Sequence, residues 1–180
     1  AEKTRQELEQ LDGAQRVSLF YSRSYADGVF YQDKQYNGSI YGVDENYFGA
    51  YGYQVKLGRG FTKGDYQNFR KVVLVDDNAI SALSLERNPV GQVLEIQEET
   101  YTIIGVVGMS QEFSPTINSM SDYQMYVGSS SGSIYLPSAA WPVSYRFDEP
   151  QNVAIKVAST DEMATVGKNA ADLLTERQIV

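Results

Sequence analysis

The stretch GRGFTKGDYQNFRKVVLVDDNAISALSLERNPVGQVLEIQEETYTIIGVVG, residues 58–108, decides how this chain is read. Gly58 and Gly60 turn the chain sharply, because glycine tolerates positive φ. Thr62 followed three residues later by Asp65 is a variant capping box that opens a helix. Val72-Val73-Leu74-Val75 is a continuous apolar run, three of its four residues β-branched, and reads as a buried strand. Asp76 then starts a helix through about Leu85, with Ala79, Ile80 and Leu83 on one face. Asn88-Pro89 ends it, since the residue before a proline avoids the helical region. Gln92–Gln97 alternates, and Thr100–Val107 follows after Glu98-Glu99, which together predict an antiparallel hairpin.

Working outward, residues 3–12 read as a short helix stopped at Asp12-Gly13, and Val17–Tyr21 as a strand. Asn37-Gly38 predicts a hairpin turn between Val29-Phe30-Tyr31 and Ile40-Tyr41-Gly42-Val43. Asp44 reads as the cap of a short helix through Tyr51, ended by Gly52. Residues 110–133 form a long stretch bearing Ser, Met and Gly. Ser133–Leu136 reads as a strand, with Pro137 leading a short helix to Trp141. Asn152–Ala158 alternates as a strand. Ser159 with Glu162 is a capping box for a final helix whose apolar face runs Met163, Val166, Ala170, Leu173, Leu174. Strands and helices mix without strict alternation, so the fold class expected is α+β: mixed or antiparallel sheets with helices.

The 180 residues carry a net charge of −8, with 42% hydrophobic and 21% charged residues. That is the composition of a folded domain. The acidic balance opposes nucleic-acid binding, which needs Lys and Arg to replace counterions. There is no Cys and no His. Disulfides, thiolate or imidazole zinc sites, and Ser-His-Asp or Cys-His nucleophiles within one chain are thereby excluded. Tyr101–Met109 is the longest near-continuous apolar run and is far short of the ~20 residues a membrane helix needs.

Several patterns imitate chemistry. Gly128-Ser129-Ser130-Ser131-Gly132 has the outline of a nucleophile elbow, but no His can serve as its base. Gly58-Arg59-Gly60 with Gly64 misplaces the third glycine of a dinucleotide fingerprint. The neighbouring pairs Asp44-Glu45, Asp76-Asp77, Glu98-Glu99 and Asp148-Glu149 suggest a hydrolase or a calcium site. Adjacent residues on a strand point to opposite faces, however, and caps and turns account for most of these carboxylates. No catalytic residue, cofactor or metal site is assigned, and the chain is read as a non-enzyme. The chain has 14 Tyr, nine of them from Tyr21 to Tyr66. Tyr suits half-buried strands and recognition surfaces alike, and both readings stay open. A surface role would fall on Tyr25, Tyr31 and Tyr36, and on Tyr123 and Tyr126 of the long stretch.

The order of Tyr47-Phe48, Gly58 to Phe61 with Asp65, Val72–Val75, Asn88-Pro89 to Gly91, and Ile96–Val107 with Gly105 resembles the extracytoplasmic core domain of MacB-type ABC transporter permeases. Ile134-Tyr135-Leu136-Pro137 matches a later strand of that family. The family often has Leu-Phe-Gly before the Asn-Pro, where this chain has Leu83-Ser84-Leu85-Glu86-Arg87, and the Tyr-rich stretch 21–41 lies outside the pattern. The resemblance implies a domain of a cell-membrane protein, placed on the extracytoplasmic side between two transmembrane helices. It implies a porter-like lobe from about 1–57 and 134–180, with an inserted lobe of about 58–133. It implies a permease that couples cytoplasmic ATP hydrolysis to export or mechanical work. Its partners would be the cognate ABC ATPase subunit, a second permease copy and a membrane-fusion-type accessory protein, with a peptide, antibiotic or lipoprotein as substrate. The alternative, from the Tyr content, is a secreted peptide- or carbohydrate-binding module.

Overall fold

The computed structural model describes residues 2–11, 14–109, 132–146, 150–157 and 163–178. The expected long stretch up to residue 131, with Tyr123 and Tyr126, lies outside the described residues. So do most of the Gly128–Gly132 pattern and the Ser159/Glu162 capping box.

The strands are β1 (Ala14–Arg23), β2 (Val29–Tyr31), β3 (Lys34–Gln35), β4 (Ser39–Val43), β5 (Tyr53–Gly58), β6 (Val72–Val75), β7 (Val93–Ile96), β8 (Glu99–Met109), β9 (Ser133–Pro137) and β10 (Asn152–Val157). The helices are α1 (Glu2–Glu9), α2 (Tyr47–Tyr51), α3 (Lys63–Gln67), α4 (Asp77–Ala82), a 3-10 turn (Ser138–Ala140) leading into α5 (Trp141–Ser144), and α6 (Met163–Gln178). The strands form one mixed sheet in the order β10-β1-β4-β9-β6-β8-β7-β2-β3, with β5 paired to β8. Two pairs are parallel, β4 with β9 and β6 with β8, and the rest are antiparallel. This is the α+β class expected from the sequence.

The run at β6 is apolar throughout because the strand is covered on both faces. Val73 and Val75 join the main core with Ala79 and Leu83 of the α4 segment, while Leu74 joins an aromatic cluster around Tyr47 and Tyr135. β9 alternates in the same way: Ile134 and Leu136 face the main core, Tyr135 the aromatic cluster. A third cluster lies at the β10–β1 end of the sheet, where Leu8 of α1 and Ala170 of α6 pack with Val17 and Leu19 of β1. Of the stripe read from the period of the final helix, Val166 and Ala170 are buried and Leu173 and Leu174 partly so.

One expected pairing is overturned. Asn37-Gly38 does not join β2 to β4. β2 turns back at Gln32-Asp33 onto β3 and pairs on its other side with β7, while β4 pairs with β1 and β9. Packing explains the outcome. The buried Tyr36 ring lies where a side chain at Gly38 would be, with its Oη 2.3 Å from a hypothetical Cβ there, and it donates to Ser39 O at 2.7 Å. The Asn-Gly pair therefore bends the chain over a ring and sends β4 to another part of the sheet. The helix from Asp77 also ends at Ala82, earlier than Leu85, with Ser84 at φ 52°. Asp44 caps nothing directly: Asn46 is the N-cap of α2 and makes no side-chain cap bond. The Asp44 carboxylate accepts instead from Ser18 Oγ at 2.7 Å, Leu19 N at 2.8 Å and Asn46 N at 3.0 Å, fixing the α2 turn to β1.

The division into a lobe of 1–57 with 134–180 and an inserted lobe of 58–133 runs across this ladder. β2, β3 and β5 pair within or beside the inserted segment, and β9 pairs with both β4 and β6.

Candidate functional site

The quoted stretch converges on the crossing of β5, β6 and β8. Gly58 and Gly105 are register partners there, and Arg59 N donates to Ile104 O at 3.0 Å. A Cβ on Gly58 would stand 2.1 Å from Ile104 O, and Gly58 has φ +70°; a Cβ on Gly105 would meet Leu57 O at 2.7 Å and Arg59 O at 2.8 Å. Both glycines are therefore required by backbone packed on backbone. The close approach releases β5 into the Arg59–Thr62 turn.

That turn is organised by Asp65, whose side chain is 0% exposed. Its oxygens accept from Arg59 Nη1 at 2.8 Å and Nη2 at 3.2 Å, from Arg70 Nη1 at 3.2 Å, and from Thr62 N at 2.8 Å. Thr62 returns the bond by accepting Asp65 N, which completes the capping box read from the sequence. Burial pushes the Asp65 carboxyl up, but the Arg59 hydrogen bonds, the Thr62 N–H and Arg70 pull it further down, to about 2. The covering groups are the guanidiniums themselves, each about half in water, so the carboxylate is shielded close to the surface rather than sunk in the core. A carboxylate held ionised by two cations is a poor base and a good strut. Sequence reasoning saw the cap and missed both arginines. They stand six residues before and five after Asp65, which is no helical spacing, so no local pattern marks them.

Phe61 leaves the same turn and packs at 6.2 Å from the Phe48 ring and 6.3 Å from Tyr66. Asn88, Pro89 and Gly91 make the other turn of the stretch. Asn88 Oδ1 accepts Val90 N at 3.3 Å, Pro89 O accepts Gln92 N at 3.0 Å, and Gly91 at φ +94° donates to Ile103 O at 2.8 Å. The central residues Gly58, Phe61, Asp65 and Gly105 come together, while Asn88, Pro89 and Gly91 shape the entry to β7.

The Tyr-rich stretch resolves mostly inward. Phe20, Tyr41, Tyr47, Phe48, Tyr51, Tyr53 and Tyr135 share one ring cluster, in which Tyr41 stacks on Tyr135 at 5.3 Å. Burial pushes the phenols of Tyr47 and Tyr135 up, as it does those of Tyr36 and Tyr66. Tyr36 is 0% exposed, so its expected place on a recognition surface is corrected to the core. Tyr31 is half-buried, with Oη donating to Gln92 Oε1 at 3.2 Å. Tyr25 alone of the three stands well out, 62% exposed, with Oη donating to Asn37 Oδ1 at 2.9 Å.

Asp76 joins two segments far apart in sequence. Its Oδ1 accepts Ala79 N at 2.8 Å, capping α4, and Ser133 N at 3.0 Å, at the start of β9. Burial raises this carboxyl, and the two backbone N–H bonds only partly offset it. Gly132, at φ +99°, packs on the same helix end, since a Cβ there would lie 2.2 Å from Ala79 N. Among the described residues no group of three or more His, Cys, Asp or Glu side chains is placed to share a metal ion, and no helix is long and apolar enough to cross a membrane.

Residues 2–173 match the model of the MacB-like periplasmic core domain. Among curated proteins, the chain is 25% identical over 160 residues to the uncharacterized ABC transporter permease YvrN of Bacillus subtilis, covering 89% of this chain and 37% of that protein. It is 30% identical over 148 residues to the macrolide export ATP-binding/permease protein MacB 2 of Aeromonas hydrophila, covering 82% of this chain and 21% of that one. The chain thus spans well under half the length of these relatives. Among solved structures, the fold is similar to the extracellular domain of the noncanonic ABC-type transporter YknZ from Gram-positive bacteria: TM-score 0.70, 19% identity, 98% of this chain and 83% of the other. It is also similar to the periplasmic region of MacB from Actinobacillus actinomycetemcomitans: TM-score 0.67, 21% identity, 97% of this chain and 72% of the other.

Proposed function

Because the chain belongs to the MacB-like periplasmic core domain family, we propose that it is the part of an ABC transporter permease that carries ATP-driven motion to the outside of the membrane. It acts through contacts with partners or substrate and performs no covalent chemistry. The permease spans and the cytoplasmic ATPase belong to the longer protein or its complex. A second permease copy and a membrane-fusion-type accessory protein are the partners this reading calls for, and a peptide, antibiotic or lipoprotein is the cargo.

The observation that carries the reading is the path by which force would cross the domain. The two terminal helices, α1 and α6, pack in one cluster against neighbouring strands β1 and β10. A displacement applied at both chain ends therefore enters at one edge of the sheet. From there hydrogen-bonded strands continue to β3 without a break. This reading moves β2, β3 and β5 out of the porter-like lobe expected at about 1–57 and 134–180: along the sheet, β10 to β9 form that lobe, and β6 to β3, with β5, form the inserted one. They meet at the short β9–β6 pairing, Leu74 with Tyr135 and Val75 with Ile134, reinforced by Asp76 and Ser133 and by the main core and the aromatic cluster, which both run across it. The resident polar geometry fits this role. Asp65 and Asp44 hold turns rigid, and neither is arranged as an acid or base.

The test is to replace residues 1–180 in the full permease by a short flexible linker and assay both sides of the membrane. The reading expects ATP hydrolysis to persist and extracytoplasmic export or release to be lost. Export at the undeleted rate would remove it.

A further inference from the structure

The turn between α3 and β6 is costly to the chain by itself. Phe69 sits at φ 49°, a conformation that bulky residues adopt only when the surroundings impose it. The residue is 62% exposed, although aromatic side chains gain from burial. The turn does not need the ring. Its bonds are main-chain ones, Phe69 N to Tyr66 O and Arg70 N to Asp65 O, and glycine would make them equally. Among the described residues the other non-glycine positions at positive φ are Gln32, Ser84, Gln97 and Glu98, all polar.

Cations surround this turn. Arg70 and Arg59 share the single Asp65 carboxylate, with side chains 49% and 45% exposed. Two guanidiniums on one carboxylate leave a positive charge and N–H donors still open to water. Lys63, on α3, is exposed as well. Lys71 follows, paired with Glu99 at 2.9 Å. In a chain of net charge −8, the sign is reversed here.

We propose that the Phe69–Arg70 turn, with Arg59 and Lys63, is a docking site for an acidic segment of a partner protein. That segment brings a carboxylate to the guanidiniums and an apolar surface to the ring. Charge complementarity selects this occupant. A second copy docked about a two-fold axis would set the basic turn against itself, which repels. An anionic membrane would meet one ring and a few cations on a protein whose remaining charge is strongly negative. Aromatic and Arg side chains are the types that dominate binding energy, and a forked guanidinium matches a carboxylate in geometry. The proposal stands apart from the force-carrying role, and either can fail without the other.

The test uses the 180-residue chain, labelled with 15N, against three probes. They are a capped synthetic peptide of alternating Glu and Leu, the same peptide with Gln for Glu, and phosphatidylglycerol vesicles. The expected result is amide shifts confined to residues 59–71 with the Glu peptide, an affinity that falls several-fold between ~50 and ~300 mM salt, and no matching response to the Gln peptide. Phe69→Gly should weaken binding about tenfold or more. Its thermal midpoint should hold or rise, because glycine takes this φ without strain. No response to the Glu peptide, equal binding of the Gln peptide, or shifts elsewhere would overturn the proposal. So would vesicle binding in preference to peptide, self-association lost in Phe69→Gly, unchanged peptide binding by Phe69→Gly, or a lowered midpoint showing that the ring holds the fold.

Discussion

Asp65→Asn tests the strut at the centre of the Arg59–Thr62 turn, and its effect should depend on pH in a defined direction. The carboxyl is lowered from its ordinary 3.8 to about 2 in the folded chain, so the folded state favours the ionised form. Each pH unit of that lowering corresponds to ~1.4 kcal/mol, which sets an upper figure of about 2.5 kcal/mol. Both guanidiniums are about half exposed, and solvent screening reduces the contribution to roughly 1–2 kcal/mol. For a carboxyl with a depressed folded value, this stability is fully present above the unfolded value and is lost as pH falls through the folded one. The chain's single Trp, Trp141, is fully buried and stacked on Tyr21 at 5.3 Å, so its fluorescence reports urea unfolding. At neutral pH the variant should be the less stable. The gap to the parent should narrow by about 1–2 kcal/mol as pH falls from about 5 to about 2. A gap that stays constant over that range would show that the Arg59–Asp65–Arg70 arrangement does not hold the charge, and the reasoning would be refuted.

Gly58→Ala and Gly91→Ala separate crowding from backbone strain. The first meets Ile104 O at 2.1 Å and should cost more than about 3 kcal/mol, while the second meets nothing within 4 Å and should cost only the ~1–2 kcal/mol of its positive φ. Equal urea midpoints for the two would contradict the crossing described at Gly58 and Gly105. Asp44→Ala removes the acceptor of three hydrogen bonds, from Ser18 Oγ, Leu19 N and Asn46 N, and should lower stability by about 2 kcal/mol in thermal unfolding. A change within a few tenths of a kcal/mol would mean that water replaces those bonds freely.

Local chemistry made much of this fold legible. The Thr62/Asp65 box, the all-apolar β6, the β7–β8 hairpin and the final helix each carry their signal within a few residues, and each forms where its signal lies. Asn88-Pro89 reads as the stop of the helix from Asp76, which instead ends at Ala82, before that pair is reached. What failed was pairing across distance. Asn37-Gly38 has the composition of a hairpin turn, yet its neighbour Tyr36 needs a cavity beneath Gly38, and β4 finds partners in β1 and in β9, the latter more than ninety residues away. The arginines on Asp65 were hidden because a loop brings them together at no regular spacing. The Tyr residues were ambiguous because the same ring serves a core or a surface; burial assigned Tyr36 and Tyr47 to the interior and left Tyr25 outside. Phe69 carried no signal at all, since nothing in its type foretells a left-handed turn.

The central claim is that this domain moves as a carrier of force when ATP is turned over in the cytoplasm. The 180 residues have no Cys, so within this domain introduced Cys residues carry the only spin labels. One pair would sit at Tyr25 in the two permease copies, and another within a single domain at Glu9 and Glu95. Pulsed electron-electron resonance on the full permease with its ATPase, with and without a non-hydrolysable ATP analogue, measures both separations. The account predicts that the separation between copies changes with nucleotide while that within the domain stays fixed or shifts only across the β9–β6 pairing. Identical distance distributions between copies in both nucleotide states would contradict it.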